Sequence, residues 1–352
     1  MKICMIVPNP AVKGGIASVV NGYRGSALES RYRISYIESY CNGSRWKKLT
    51  KALLAYCTFL GQILCSRPDI VHIHSSFGPS FYRKIPFILI SRLCRIPVVN
   101  HIHGAEFDAF YEQASDAKRR LVRAVYNRCS RLLVLSEEWK ERIGRMVPGE
   151  RIIVVENYCV IPGVPYDKGR DGRQVIFVGE LGARKGCYDI PDIWERVVKE
   201  VPSARLVMAG DGEMEQVKKG FARKGLLSQV SFPGWVRGKK KARLLERSAV
   251  FLFPTYHEGM PMAVLEAMSY GMGIVTTAVG GIPRLIHDGE TGCLLKPGDT
   301  EAMAQAVVKF LVDADSRKAC GQRAREYAAR DYSLERHLEK LSAVYESIAQ
   351  EL

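Results

Sequence analysis

"AVFLFPTYHEGMPMAVLEAMSYGMGIVTTAVGG" (residues 249–281) opens on an apolar run, crosses a polar loop, enters a second apolar stretch at Pro261 and ends on a third run closed by two glycines. Short β-branched and aromatic runs bounded by Pro, Thr and Gly are the pattern of strands buried on both faces. The stretch between them has helical length, and Pro261 suits a first helical position because its missing N–H would be unpaired there anyway. One strand–helix–strand unit is therefore expected, and such a unit places its two strands parallel.

Working outward, the same rhythm appears upstream at "KICMIVP" (2–8), "DIVHIHS" (69–75), "PVVNHIHG" (97–104), "RLLVLS" (131–136) and "RIIVVEN" (151–157). After the polar, glycine-bearing stretch "YDKGRDGR" (166–173) it restarts with "QVIFVGE" (174–180), "ARLVMAG" (204–210) and "VSFPGWV" (230–236). Two such series predict an α/β chain of two Rossmann-like domains, residues 1–165 and 166–332, followed by an amphipathic helix over 333–352. A length of 352 residues is enough for two cores of ordinary size.

Composition narrows the class. With 47% hydrophobic and 25% charged residues the chain reads as globular. Its 10 cysteines are scattered without CxxC pairs or zinc spacing, which predicts reduced thiols and a cytoplasmic setting. The run at 2–8 is expected to be a strand and not a leader, and no stretch is read as the roughly 20 apolar residues that span a bilayer. The basic excess sits in the first half: residues 1–165 hold 24 Lys+Arg against 12 Asp+Glu, and residues 166–352 hold 28 against 25. Within that half, "SRWKKLTKALLAYCTFLGQIL" (44–64) joins four cations to aromatic and leucine positions, and "KRRLVRAVYNRCSR" (118–131) adds six more. Both fit an anionic membrane surface, although each alone also reads as a packed helix with a basic edge. No nucleic-acid-binding motif accompanies the charge, so nucleic acid is not expected as a partner.

Ligands of parallel sheets bind beyond the carboxyl ends of the strands, so the residues just after each strand carry the functional reading. Glu258 falls on the loop after "AVFLFPT", and Glu266 falls inside the following helix, roughly 10 Å away at the helical rise. Between them, Gly259, Met260, Pro261 and Met262 form the approach to the helix start, whose exposed amides favour a phosphate. Two carboxylates able to accept hydroxyls, flanking an anion site, match a ligand with a diphosphate between two sugars. The plain alternative is a surface loop acid at Glu258 and an acid paired with a nearby base at Glu266. "FVGELGARKG" (177–186) delivers Arg184 and Lys185, cations that can neutralise a diphosphate without metal. "NPAVKGGIASVVNG" (9–22) adds a flexible rim at Gly14 and Gly15. The paired "HIH" triplets at 72–74 and 101–103 make a metal site conceivable, but no acidic ligand is spaced with them, and the reading favours hydrogen bonding to a ligand by His103 and packing for the rest. "DAD" (313–315) reads as a solvated helix end. No metal and no cofactor are expected.

These pieces together resemble the retaining GT-B glycosyltransferases of family GT4: "EGMPMAVLEAM" is similar to that family's E-x7-E element, and "KGGIASVV", "HIHGAEFD", "FVGELGARKG" and "AVGGIPRLIHDGETGCLL" follow in its order. The resemblance spans essentially the whole chain. It implies two parallel sheets facing a central cleft and a C-terminal helix that crosses back onto the first domain. It also implies a nucleotide-sugar donor, a UDP- or GDP-sugar, held mainly by the second domain, and a polyprenyl-linked or glycan acceptor on the first. Glu266 would bind the ribose, Glu258 the donor sugar, and Lys185 with Arg184 the diphosphate, while Gly15 and His103 would face the transferring sugar. Catalytic weight would rest on Glu258, His103 and Lys185. The resemblance further implies front-face transfer with retention, the leaving phosphate taking the acceptor proton, in a peripheral enzyme of surface polysaccharide synthesis at the inner face of the cell membrane. Two positions depart from the family pattern: Glu180 stands where Arg is usual and Arg284 where Glu is usual, and a reciprocal Glu180–Arg284 ion pair is expected. Left unpaired, Glu180 would repel the diphosphate, which leaves an inactive donor-binding partner as the alternative function. A sugar-nucleotide epimerase is the remaining two-Rossmann reading.

Overall fold

A computed structural model describes residues 1–104, 107–163 and 169–351. The chain divides into two compact units, Met1–Asn157 with Leu334–Leu352, and Tyr158–Ser333. The expected domain break at 165/166 lies outside the described residues, as do Ala105 and Glu106 of "HIHGAEFD".

Unit 1 is a six-stranded parallel sheet. Its strands are β1 (Lys2–Pro8), β2 (Arg33–Tyr40), β3 (Ile70–Ser75), β4 (Val98–Ile102), β5 (Arg131–Val134) and β6 (Ile152–Val154), in the order β2-β1-β3-β4-β5-β6. β1 is a nearly continuous apolar run because helices cover both faces, with Ile3 to Val7 fully buried, and β3 is buried throughout although it carries His72, His74 and Ser75. β2 was not among the expected strands. It is an edge strand whose sequence, "RISYIESY", mixes apolar and polar positions in place of an unbroken run. In the β3–β4 register His74 lies opposite His101, so both triplets put their histidines on one face.

Unit 2 repeats the architecture with β7 (Asp171–Val178), β8 (Arg205–Ala209), β9 (Val230–Ser231), β10 (Ser248–Phe253), β11 (Gly273–Thr277) and β12 (Cys293–Leu295), ordered β12-β11-β10-β7-β8-β9 and parallel throughout. β9 has two residues where the longer run 230–236 was expected. Phe232 and Pro233 fall in the turn, and proline offers no N–H to the ladder. The chain runs outward from β7 to β9, returns, and runs the other way from β10 to β12. That reversal opens a crevice between the carboxyl ends of β7 and β10. Helix Ile190–Glu200 shows how the faces are covered: Ile190, Ile193, Trp194 and Val197 recur at helical spacing and are all fully buried.

The final helix, Leu334–Gln350, belongs to unit 1. It buries Leu341, Val344, Tyr345 and Ile348, and its Tyr345 hydroxyl lies 2.6 Å from His72 Nδ1. Helix Arg45–Ser66 behaves differently. It sends Ala52, Ala55 and Phe59 into the unit 1 core but leaves Trp46 77% and Leu64 85% exposed, with Leu49, Leu53, Leu54 and Leu60 also outside. Contrary to the sequence expectation, its 22 residues are long and apolar enough to cross a membrane by length and composition, with 17% of that window buried. Phe59, fully buried in the unit 1 core, ties the helix to the globular fold.

Candidate functional site

The crevice between β7 and β10 is built by two loops that touch each other. After β7 the chain turns through Gly179 and Gly182 into the short 3-10 turn Ala183–Lys185, closed by Gly186 in the left-handed region at φ 67. A Cβ on Gly186 would stand 1.8 Å from the Pro254 carbonyl oxygen, so only glycine lets this loop lie against the end of β10. Tyr256 N then donates to Arg184 O at 3.0 Å and joins the two loops.

At that junction Lys185 Nζ donates to Glu258 Oε1 in an ion pair whose side chains are 13% and 7% exposed. The Thr255 hydroxyl lies 3.2 Å from the same carboxylate oxygen and 3.1 Å from Arg184 O. Burial pulls the Lys185 ammonium below the ordinary lysine value, with Glu258 opposing the shift. The pair thus holds a partly desolvated cation at the mouth of the switch point. Its neighbour Arg184 is more open, reaching His257 O at 3.3 Å and the Glu180 carboxylate at 3.4 Å.

Glu180 therefore finds its partner four residues away in the same turn. The expected Glu180–Arg284 pair is replaced by Glu180–Arg184, since a cation on the same short loop needs no further ordering of chain. The repulsion that Glu180 would exert on a diphosphate is met by the cation beside it.

Gly259, Met260 and Pro261 are buried, and the helix begins at Met262, one residue later than expected, with Pro261 as its extended N-cap. The loop before it is held by Gly280 and Gly281. Gly281 N donates to Gly259 O at 2.7 Å, and a Cβ on Gly280, at φ 53, would meet Glu258 O at 1.8 Å. The two glycines that close the opening quotation thus let their backbone press against the Glu258 loop. Glu266, midway along helix Met262–Ser269, pairs with Lys241 Nζ at 2.6 Å. Both glutamates thus carry a lysine, and the plain alternative for Glu266, an acid paired with a nearby base, describes its present contact.

Lys241 and Thr255 were not singled out from sequence. Lys241 is the last of three lysines in "GKKKARLLER", helix Gly238–Arg247, and nothing in that run marks which of them faces Glu266. Asp313 of "DAD" caps two successive helices, accepting from Ser316 N at 2.9 Å.

In unit 1, Gly14 (φ 132) precedes helix Gly15–Tyr23 after the β1 loop, exposed, with open space where a Cβ on either glycine would point. His103 follows β4. Its Nε2 lies 2.9 Å from His74 Nδ1 and its ring stacks on His74 at 5.2 Å, so the side chain is turned into a histidine cluster. Burial drives its pKa down to about 3.

The family model described as "Glycosyl transferase 4-like domain" matches residues 36–158, and the one described as "Glycosyl transferases group 1" matches residues 172–313. Glycogen synthase of Mycobacterium tuberculosis is 27% identical over 276 residues, covering 76% of this chain and 66% of its own length. This chain therefore spans just under two thirds of that relative. Sucrose-phosphate synthase from Thermosynechococcus elongatus superposes with a TM-score of 0.80 at 16% identity over 100% of both chains. HepE from Anabaena, solved in complex with UDP-glucose, superposes with a TM-score of 0.77 at 17% identity, covering 99% of this chain and 100% of its own. With a glycosyltransferase model over each sheet, the chain pairs a glycosyl transferase 4-like domain with a glycosyl transferases group 1 domain, on the fold it shares with both solved structures.

Proposed function

We propose that the protein is a retaining glycosyltransferase that moves a sugar from a nucleotide-sugar, a UDP- or GDP-sugar, to a polyprenyl-linked or glycan acceptor in surface polysaccharide synthesis. The observation that carries the reading is the Lys185–Glu258 pair at the β7–β10 crevice, beside the start of helix Met262–Ser269. A diphosphate arriving there meets Lys185, Arg184 and the helix amides, which offset the charge that grows on the leaving group without a metal. Glu258, freed from part of its contact with Lys185, accepts hydroxyls of the donor sugar, and Glu266 with Lys241 grips the ribose. The leaving phosphate takes the acceptor proton, so no separate protein base is assigned.

The acceptor falls to unit 1, and a membrane setting is supported by helix Arg45–Ser66. Its exposed leucines and Trp46 lie beside Arg45, Lys47, Lys48 and Lys51, the combination that seats a helix at an anionic interface. On this reading the enzyme works at the cytoplasmic face of the membrane.

The test is thermal stabilisation of the purified protein by UDP-, GDP-, ADP- and dTDP-sugars, repeated with Glu266→Ala. One nucleotide should raise Tm, and the shift should vanish in the variant. A panel in which no donor stabilises the protein would sink the reading.

A further inference from the structure

Five of the seven histidines, His72, His74, His101, His103 and His337, lie together in unit 1. Three of them, His72 and His74 on β3 and His101 on β4, point from the same sheet face into the space beneath helix Leu334–Gln350. Their ring centroids are 4.4 Å apart for His72–His74, 5.3 Å for His74–His101 and 5.9 Å for His72–His101. All three side chains are buried.

Their hydrogen bonding is lopsided in a specific way. His72 uses Nδ1 on the Tyr345 hydroxyl at 2.6 Å, and its Nε2 has no partner. His74 uses Nδ1 on His103 Nε2 at 2.9 Å, and its Nε2 is likewise without one. Both ring nitrogens of His101 are unpartnered, the Val155 backbone approaching without hydrogen-bond geometry. Buried polar atoms are ordinarily satisfied, so four orphan nitrogens converging in one place call for an explanation. One nitrogen from each of the three residues lies within 4.8 Å of the others, the only such group among the described residues. Tetrahedral Zn–N bonds of ~2.0–2.1 Å need those nitrogens about 3.4 Å apart, a closure of under ~1 Å per ring.

We infer that His72, His74 and His101 form a binding site for a late first-row transition-metal ion, Zn2+ foremost, inside unit 1. An all-imidazole donor set suits Zn2+, Cu2+ or Ni2+ and disfavours Mg2+, Ca2+ and Mn2+, which prefer oxygen. The outer partners already stand where metal-bound histidines need them. The Tyr345 hydroxyl and His103 engage the Nδ1 atoms of His72 and His74, and where Nδ1 carries the proton and donates, Nε2 is left to coordinate. Three imidazoles leave one tetrahedral position to a water molecule. The ion would tie β3 and β4 to each other and, through His72 and Tyr345, to the last helix.

The experiment uses the full chain, stripped with EDTA, dialysed and titrated with Zn2+, alongside His101→Leu. The His101 ring packs against His72, His74, His103 and His337 and its nitrogens have no partner, so the leucine variant removes a ligand and two orphan nitrogens while keeping a buried side chain there, and it should fold. The parent is expected to bind one equivalent of Zn2+ with a rise in Tm, and the variant to lose both. Titration with Co2+ should give a tetrahedral d–d spectrum with no thiolate charge-transfer band. The inference is overturned if the parent binds no Zn2+, if His101→Leu binds it equally well, or if Co2+ reports thiolate ligation at the free cysteines. His72→Gln provides a second variant: retained Zn2+ affinity there also overturns it.

Discussion

Removing Lys185 would leave Glu258 as a buried carboxylate with its cation gone. Lys185→Ala is expected to lower stability by about 3–5 kcal/mol, the usual cost of breaking such a pair from one side, and turnover by about 100-fold or more if Lys185 also offsets charge in the transition state. Arg184→Ala, at a more exposed site, should cost far less stability while still weakening donor binding. Chemical denaturation and steady-state kinetics on both variants check this; wild-type turnover in Lys185→Ala would remove the diphosphate assignment. The buried histidines set a pH dependence of definite sign. His72 and His103 are pushed down to about 3 and His337 to about 4, while His74 and His101 lie well below 6.5. Lys84, facing His74, and Lys340, facing His337, push the same way. Above pH 6.5 the folded and unfolded chains carry these rings alike, so the histidines leave stability unchanged. Below 6.5 the unfolded chain takes up protons that the folded one refuses, and stability falls towards the folded values by about 1.4 kcal/mol per pH unit per histidine. Urea unfolding between pH 7.5 and 4.5 measures it, and a flat profile across that range would contradict the burial of the cluster.

At the scale of elements, helix Arg45–Ser66 divides its labour between two faces. Ala52, Ala55 and Phe59 pack inward, whereas Leu53, Leu54 and Leu64 are exposed and cost nothing to the fold when made polar. Leu53→Asp with Lys47→Glu and Lys48→Glu should leave Tm nearly unchanged and abolish sedimentation with anionic vesicles, while neutral vesicles bind neither protein. Equal sedimentation of variant and parent would end the membrane-surface reading. The same scale explains what a linear reading finds and misses. β1 and β10 are buried almost throughout and announce themselves as nearly unbroken apolar runs, while β3 and β4 keep their apolar positions around buried histidines. β2 lies on an edge and β12 spans three residues with intermediate burial, so neither carries that signature. The glycines at 280 and 281 are visible as a turn, but their reason, a close approach to the Glu258 loop, depends on a second segment.

On the scale of the molecule, the last helix completes the first unit from the far end of the chain. Leu341, Val344, Tyr345 and Ile348 each contribute about 1.5–3 kcal/mol of burial, a sum comparable with the whole stability of an ordinary domain. Ending the chain after Ser333 should therefore abolish the cooperative melting of unit 1 and spare that of unit 2, which calorimetry would resolve as a lost transition. A truncated chain with the full-length profile would show that the helix is dispensable. The alternating strands and helices and the two-domain plan were legible in the sequence, because periodicity and turn chemistry are local, and Lys185, Arg184, Glu258 and Glu266 were singled out there because ligands of parallel sheets bind at strand ends. The partners of those candidates were not. That Glu258 meets Lys185, that Glu266 meets Lys241 and that Glu180 turns to Arg184 instead of Arg284 was decided only when distant loops met. The histidines divide the same way: alternation puts each pair on one face, but their orphaned nitrogens exist only because β3, β4 and a helix from the end of the chain close around them and exclude water.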